Sequence, residues 1–284
     1  MYKRQGFTLV GLPEKTVKEA QDRVRSALIT VSYTHLYSYE LNNKKAPFDN
    51  VNIRKALNLS LDRHVITDKV LGQGQTPTYV FTPTYIEEGH FIQQPAYSKE
   101  PMAQRNEEAI KLLEEAGYSK ANPLKFSILY NTNENHKKVA IAAASMWKAN
   151  TKGLIDVKLE NQEWKTYIDS RRAGRYDVAR AGWNADYNQA TTFGNYFLSN
   201  SSNNTAKYAN PEYDKAIAES YVATDAEGRA KAYAKAEEIL AKDYGIVPIF
   251  NYVNPRLVKP YVKGYSGKDP QDHIYLRNLY IIKH

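Results

Sequence analysis

The stretch Tyr176 to Asn188, YDVARAGWNADYN, constrains the fold more than any other part of the chain. Its first six residues alternate larger and smaller side chains with a period of two, which is typical of a β-strand. We expect Gly182 to end that strand and the following residues to form a loop. A cation (Arg180), an indole (Trp183) and a carboxylate (Asp186) would then lie close together, an arrangement typical of a binding site held on a rigid scaffold. A buried strand with a structural salt bridge is the alternative.

Alternating strand and helix patterns surround this stretch. Strands are predicted at 37–41, 124–130, 155–159, 176–181, 246–252 and 279–282, and helices at 51–60, 62–71, 104–116, 136–150, 164–172, 211–221 and 225–243. Residues 76–94 contain prolines and little apolar periodicity, so a loop is predicted there. Strands that alternate with helices indicate an open α/β sheet with crossover connections. In such sheets ligands bind at the carboxyl ends of the strands.

The residue types present argue against several functions. The net charge is +8, but the 39 Lys and Arg residues are mostly interleaved with acids, so no nucleic-acid partner is predicted. Cysteine is absent, which excludes disulfides and thiolate chemistry. The six histidines show no HExxH spacing, and neither a GxSxG nor a GxxxxGK[ST] motif occurs. The sequence therefore predicts no catalytic residue, no metal site and no cofactor.

Two targeting features are also absent from the sequence. No run approaches the ~20 apolar residues that a membrane-spanning helix needs. The amino terminus lacks the apolar core of a secretory signal, so the chain as written is expected to stay in the cytoplasm.

Four segments carry a resemblance to a known family. They are ENQEWKTYIDSR (160–171), ARAGWNADYN (179–188), NPRLVKPYVKGYSGKDP (254–270) and LYIIKH (279–284). Together they resemble the periplasmic oligopeptide-binding proteins of ABC importers, and the similarity extends from about Tyr37 to His284. The resemblance implies an α/β fold: one lobe of a type II periplasmic binding protein, with a mixed sheet and flanking helices. Since such proteins are about twice as long, the chain is interpreted as truncated at its N-terminal side.

The same resemblance divides the chain. Residues 37–253 would form the second lobe, and residues 254–284 would return to the first. Residues 1–36 are interpreted as unrelated or artefactual, because Gly6 to Ile29 is similar to a short segment of magnesium-chelatase-like, ComM-type ATPases. The chain would then be a chimeric fragment. A genuine N-terminal arm is the alternative, and in either case 15–28 can form an amphipathic helix.

The resemblance also assigns ligand contacts. Asp186 would hold the α-amino group of a peptide, and Arg180, Arg171 and His136 would take its carboxylate. Trp164, Trp183 and Tyr252 would line side-chain pockets, and Asn184 would adjust one of them. Each has a simpler interpretation: Arg171 as a solvated helix end, His136 as a neutral surface histidine and the tryptophans as core residues.

The expected function is capture of short peptides by their free termini, followed by delivery to the membrane subunits of an ABC permease. Because the affinity would come from the two charged termini and the backbone of the peptide, such binding would depend little on the peptide's amino-acid sequence. The parent protein is expected to be periplasmic and monomeric and to catalyse no reaction, and this chain alone is expected to bind peptide weakly. A murein tripeptide, haem or nickel are alternative ligands.

Overall fold

The computed structural model of the chain describes residues 28–29, 35–253, 256–265 and 273–283. Most of the predicted helix at 15–28 and of the ATPase-like segment at 6–29 lies outside the described residues.

A six-stranded mixed sheet forms the centre of the described structure. Its order is β3-β7-β2-β6-β4-β5. The strands are β2 (His35–Leu41), β3 (Thr76–Pro77), β4 (Leu124–Asn131), β5 (Ile155–Gln162), β6 (Val178–Asn184) and β7 (Ile246–Asn251). β4 pairs in parallel with β5 and β6, whereas β2 is antiparallel to both β6 and β7. The sheet therefore combines a parallel half with an antiparallel half, as the resemblance implied.

The helices cover both faces of this sheet. They are α1 (Val51–Leu59), α2 (Met102–Glu115), α3 (Glu134–Asn150), α4 (Trp164–Arg172), α5 (Thr191–Gly194), α6 (Pro211–Val222) and α7 (Ala226–Lys242). Asparagine or aspartate side chains cap four of them: Asn50, Asn133, Asn210 and Asp225 accept hydrogen bonds from backbone N–H groups in the first turns of α1, α3, α6 and α7. These caps satisfy donors that have no partner within a helix.

The helix predicted at 62–71 differs in kind from the prediction. Asp62 caps it, since its carboxylate accepts hydrogen bonds from the N–H groups of His64 and Val65. The segment Val65–Leu71 is a π-helix, however, and it ends at Gly72 with a left-handed φ of 63°.

Gly182 does not end β6, so the predicted strand break is wrong. The strand continues to Asn184, and Gly182 pairs with Tyr37 of β2. A Cβ atom at Gly182 would lie 2.9 Å from the Leu36 carbonyl oxygen and 3.2 Å from Nη2 of Arg180. Glycine is therefore present because the neighbouring strand and the Arg180 guanidinium approach the backbone closely.

The alternation of β2 and β6 divides the core between the two faces of the sheet. Tyr37 and Tyr39 are buried with Trp147 of α3 on one face. Leu36 and Trp183 pack with Phe193 of α5 on the other. Arg180 and Trp183 consequently point to opposite faces of β6.

Short strand pairs lie outside the main sheet. β1 (Leu28–Ile29) pairs with β8 (Arg256–Leu257), and β9 (Val262–Lys263) pairs with β10 (Tyr280–Ile281). No helix among the described residues has the length and apolar character required to cross a bilayer.

Candidate functional site

Most of the residues predicted as ligand contacts lie at one edge of the six-stranded sheet; Arg171 is the exception, because it pairs with Glu40 near the start of β6. Strands β4, β5, β6 and β7 point the same way, because β6 and β7 are both antiparallel to β2. His136 comes after the end of β4, Trp164 after β5, Asp186 after β6 and Tyr252 after β7. We call this edge the carboxyl edge. It is the position at which open α/β sheets bind ligands.

Arg180 is a largely buried cation near this edge that lacks a counter-charge. Its Nη2 donates a hydrogen bond to the Tyr252 hydroxyl (2.9 Å), and its guanidinium carbon lies 5.1 Å from the centre of the Tyr37 ring. Nε is buried without an acceptor, and no carboxylate of the described residues pairs with this guanidinium. Burial acts to lower the pKa of Arg180, but the phenol groups of Tyr252 and Tyr37 outweigh it, so that pKa lies above its ordinary value. The site is suited to an anion.

His136 lies next to Arg180 but carries no charge at neutral pH. Its backbone N–H donates to the Asn133 cap, and its ring centre lies 5.5 Å from that of Tyr37. Burial, and then the charge of Arg180, lower the pKa of His136 to about 3. Its Nδ1 is buried and has no hydrogen-bond partner among the described residues. His136 can therefore offer a hydrogen bond to a ligand, but not a positive charge.

Arg171 already has a counter-charge inside the protein. Its Nε and Nη2 donate to the two carboxylate oxygens of Glu40 at 2.9 and 2.8 Å. The side chains of Arg171 and Glu40 are only 13% and 1% exposed, so Arg171 is not a solvated helix end. Burial acts to raise the pKa of Glu40, but Arg171 outweighs it and holds that pKa below its ordinary value. Tyr196 and Thr205 also donate hydrogen bonds to Glu40. The predicted contact of Arg171 with a ligand carboxylate stays a prediction, and this pairing does not favour it.

Thr192 connects two of the predicted contacts. Its hydroxyl accepts a hydrogen bond from the Asp186 N–H (3.0 Å) and donates one to Oδ2 of Asp186 (3.2 Å). Its carbonyl oxygen accepts from Nε1 of Trp183 at 2.8 Å. Asp186 is exposed at the carboxyl edge, as is Asn184 at the end of β6, whereas Thr192 is buried. One buried threonine thus orients both an exposed carboxylate and an indole.

Trp164 is the most exposed aromatic residue of the predicted set. It is 57% exposed and stacks on Tyr167, with ring centres 5.8 Å apart. The Tyr167 hydroxyl donates to the backbone carbonyl of Arg180. Trp183, in contrast, is half-buried and packs edge-on against Tyr196 at 4.8 Å. Trp164 can therefore contact a ligand directly, while Trp183 also belongs to the packing of α5.

Other possible sites in the described ranges are weaker. No three His, Cys, Asp or Glu side chains there are grouped as metal ligands. A cleft of about 810 Å³ lies away from the carboxyl edge, lined by residues of α1, α2 and α7. Its charged side chains largely neutralise each other, as Lys55 does with Glu108 at 2.5 Å and Lys242 with Glu238 at 2.6 Å.

Comparison with protein families agrees with this geometry. The profile of the bacterial extracellular solute-binding proteins, family 5 (middle part), matches residues 7–205. The chain belongs to this family.

The relatives are substantially longer than the chain. The periplasmic oligopeptide-binding protein OppA of Haemophilus influenzae is 90% identical over 278 residues, which are 98% of this chain and 51% of the relative. OppA of Salmonella typhimurium is 52% identical over 275 residues, or 97% of this chain and 49% of the relative. The chain spans about half the length of the curated relatives it matches.

Solved structures of family 5 proteins show the same fold. The crystal structure of Haemophilus influenzae OppA in complex with RPPGFSPFR has 89% identity and a TM-score of 0.85, covering 96% of this chain and 53% of that one. The unliganded open form of the murein tripeptide-binding protein MppA has 41% identity and a TM-score of 0.85, with 96% and 52% covered. The prediction of a type II periplasmic-binding-protein fold with a mixed sheet is confirmed.

The chimeric interpretation of the N-terminal segment is not supported. The family 5 profile begins at residue 7, within the segment predicted to resemble ComM-type ATPases. The Haemophilus relative also aligns with 98% of the chain, which includes most of residues 1–36.

Sequence reasoning missed several residues that shape the site. Tyr37 could have been identified from the sequence, because it lies at an alternating position of a predicted strand and the amphipathic tyrosine ring suits a hydrated cleft. Thr192 and Glu40 could not have been identified in this way, since each acts through a partner that is distant in sequence or lies across a loop.

Proposed function

We propose that this chain is part of a periplasmic protein that captures short peptides for an ABC importer. The observation that carries the proposal is the pair of opposite charges at the carboxyl edge: the uncompensated Arg180 guanidinium and the exposed Asp186 carboxylate. A free peptide presents a carboxylate and an ammonium group. Arg180 would bind the carboxylate with help from a hydrogen bond of His136, and Asp186 would bind the amine.

The relatives support this ligand class. The Haemophilus relative bears the name of an oligopeptide-binding protein and was crystallised with a peptide. A murein peptide is the second candidate, because the periplasmic murein peptide-binding protein MppA of Escherichia coli is 44% identical over 87% of this chain. Both ligands have an amine and a carboxylate, so the same residues would serve either.

The protein would act by binding, with no chemical step of its own. Its partners would be the membrane subunits of an ABC permease. It would work as a monomer in the periplasm, because both OppA relatives are described as periplasmic proteins. Residues 37–253 would form one lobe of a two-lobed clamp that closes over the peptide. Residues 254–284 would return to the other lobe. The exposed apolar side chains of Leu276, Tyr280 and Ile281 are suited to packing there.

End-blocked peptides test the proposal. The test protein is the Haemophilus influenzae relative with this chain in place of its matching half; we call it the completed protein. Calorimetry would compare tri-alanine, N-acetyl-tri-alanine and tri-alanine amide. We expect each block to weaken binding by at least about tenfold, because it removes one charge-assisted contact. Equal affinity for all three would contradict capture by the termini, and a strong preference for murein tripeptide would favour the second ligand.

A further inference from the structure

The loop that carries Asp186 is held from outside the carboxyl edge by Glu88. We call residues 185–190 the Asp186 loop. Oε2 of Glu88 accepts a hydrogen bond from Nε2 of Gln189 in this loop at 3.0 Å. Oε1 accepts from Nε of Arg229 on α7 at 2.8 Å, and the two side chains form an ion pair. One carboxylate therefore ties the loop to a long helix.

Gln189 also connects Glu88 to the residues that contact Asp186. Its Oε1 accepts a hydrogen bond from the Thr191 hydroxyl at 2.6 Å. The next residue is Thr192, whose hydroxyl bonds both the N–H and the carboxylate of Asp186. Hydrogen bonds and the peptide link between Thr191 and Thr192 thus connect Arg229, through Glu88, to the carboxylate assigned to the peptide amine.

The backbone next to Glu88 holds the same loop. The Ala190 N–H donates to the Glu87 carbonyl oxygen (3.0 Å), and the Glu87 N–H donates to Oδ1 of Asn188 (3.2 Å). Glu88 itself adopts a left-handed φ of 63°, a conformation that favours glycine, and its side chain is almost fully buried. A buried glutamate kept in an unfavourable backbone conformation indicates that its carboxylate is needed there.

We propose that Glu88 is a positioning residue for recognition of the peptide amine. It touches no ligand itself; it sets the position of the Asp186 loop, and through Thr192 the direction of the Asp186 carboxylate. Recognition of the peptide carboxylate should not depend on it, because Arg180 lies within β6 and contacts Tyr252 and Tyr37 instead. This inference rests on the proposed function.

The test separates the two ends of the peptide in the completed protein. Glu88→Gly removes the carboxylate and also relaxes the left-handed backbone, so a loss cannot come from added strain. We expect the preference for tri-alanine over N-acetyl-tri-alanine to fall by about tenfold, as is usual for residues that support a binding group. The preference for tri-alanine over its amide should stay within about twofold, because the carboxylate contacts are untouched.

Two further variants control this result. Glu88→Gln keeps the size of the side chain and an acceptor for Gln189, so it should lose less preference for the free amine than Glu88→Gly. Glu227→Gln removes an exposed carboxylate from the same helix as Arg229. Within the described ranges its ion pair is with Lys231, so this substitution should change neither preference. The proposal is overturned if Glu88→Gly keeps its preference for the free amine, or if both preferences fall together.

Hydrogen exchange supplies a measurement that needs no ligand. In the 284-residue chain, the Asp186 and Ala190 amides should exchange faster in Glu88→Gly than in the wild type, and Glu227→Gln should match the wild type. Unchanged exchange in Glu88→Gly overturns the positioning role. Wild-type protein that binds free and acetylated peptides equally would instead contradict the proposed function, and the exchange rates would still decide whether Glu88 holds the loop.

Discussion

Arg180 and Arg171 carry the same charge on neighbouring elements, yet only one of them is free to meet a ligand. The Arg171 guanidinium is paired with the Glu40 carboxylate and also donates a hydrogen bond to the Tyr196 hydroxyl. Arg180 has a phenol as its hydrogen-bond partner and a second phenol ring beneath it. Because a buried cation is costly without a counter-charge, the structure leaves a place for an anion at Arg180.

Substitution of the charged contacts should weaken peptide binding. In the completed protein, Arg180→Ala and Asp186→Asn should each reduce the affinity for tri-alanine by about 2 to 5 kcal/mol, the usual loss when one partner of a desolvated charge pair is removed. Arg172→Ala is the matched control, since Arg172 is an exposed cation at the end of α4. Calorimetry measures all three. Wild-type affinity in both Arg180→Ala and Asp186→Asn would refute the assignment.

His136 should make the fold sensitive to acid. Its pKa in the folded protein is about 3, whereas that of an unfolded histidine is about 6.5. Between these values the unfolded state binds more protons, so lowering the pH destabilises the folded state. The free energy of unfolding should therefore fall more steeply from about pH 7 to about pH 4 in the wild type than in His136→Gln.

Urea denaturation across this pH range measures the difference. His64→Gln, at an exposed histidine, is the control and should follow the wild type. Parallel pH profiles for the wild type and His136→Gln would contradict a neutral, buried imidazole at this position.

Strand β6 packs tightly against β2 at Gly182 and also carries Arg180, the proposed contact for the peptide carboxylate. Gly182→Ala would bring a methyl group against the Leu36 carbonyl and the Arg180 guanidinium. We expect a loss of about 1 to 3 kcal/mol in the free energy of unfolding, typical of overpacking, together with weaker peptide binding. Gly228→Ala in the first turn of α7 is the milder comparison, because its Cβ atom would lie 3.2 Å from Oδ1 of Asp225 and 3.3 Å from Cβ of Ala223, with no backbone atom so near. Urea denaturation measures both variants. A Gly182→Ala variant as stable as the wild type would show that β2 and β6 accommodate the methyl group without cost.

The helices and strands were largely predictable from the sequence, and their errors have physical causes. Helix α4 matches its predicted bounds of 164–172, because a regular apolar pattern lies between a strand and a glycine. Gly182 was misread because a glycine in a strand indicates either a break or a close approach, and only the position of Leu36 decides between them. The π-helix at Val65–Leu71 has no distinct sequence pattern.

The order and direction of the strands in the sheet were harder to predict from the sequence than the strands themselves. Alternating strands and helices predict parallel neighbours, but β2 lies between β6 and β7 and is antiparallel to both. The position of Trp183, Asp186 and the other predicted contacts near strand ends followed from the α/β pattern, whereas their contact with a ligand stays a prediction. The contacts of Thr192 and Glu88 did not follow from that pattern, because they depend on how separate loops meet in space.

The chain should need the remainder of a full-length protein to bind peptide tightly. The chain spans about half of its relatives, and both proposed charge contacts lie at an open edge of its sheet. We expect the 284-residue chain alone to bind tri-alanine at least about tenfold more weakly than the completed protein, because closure of two lobes desolvates the contacts. Calorimetry on both proteins measures this ratio. Submicromolar affinity of the chain alone would prove the expectation wrong.

The central position of β2 has a consequence for the order of events during synthesis. β2 is complete at residue 41, but its two neighbours end at residues 184 and 251. At about 5 to 20 residues per second, the ribosome needs roughly 10 to 40 seconds to make the chain between β2 and the end of β7. Throughout that interval the middle of the sheet has no partner on one or both sides. The central strand of the sheet therefore acquires both of its neighbours only after synthesis has passed residue 251.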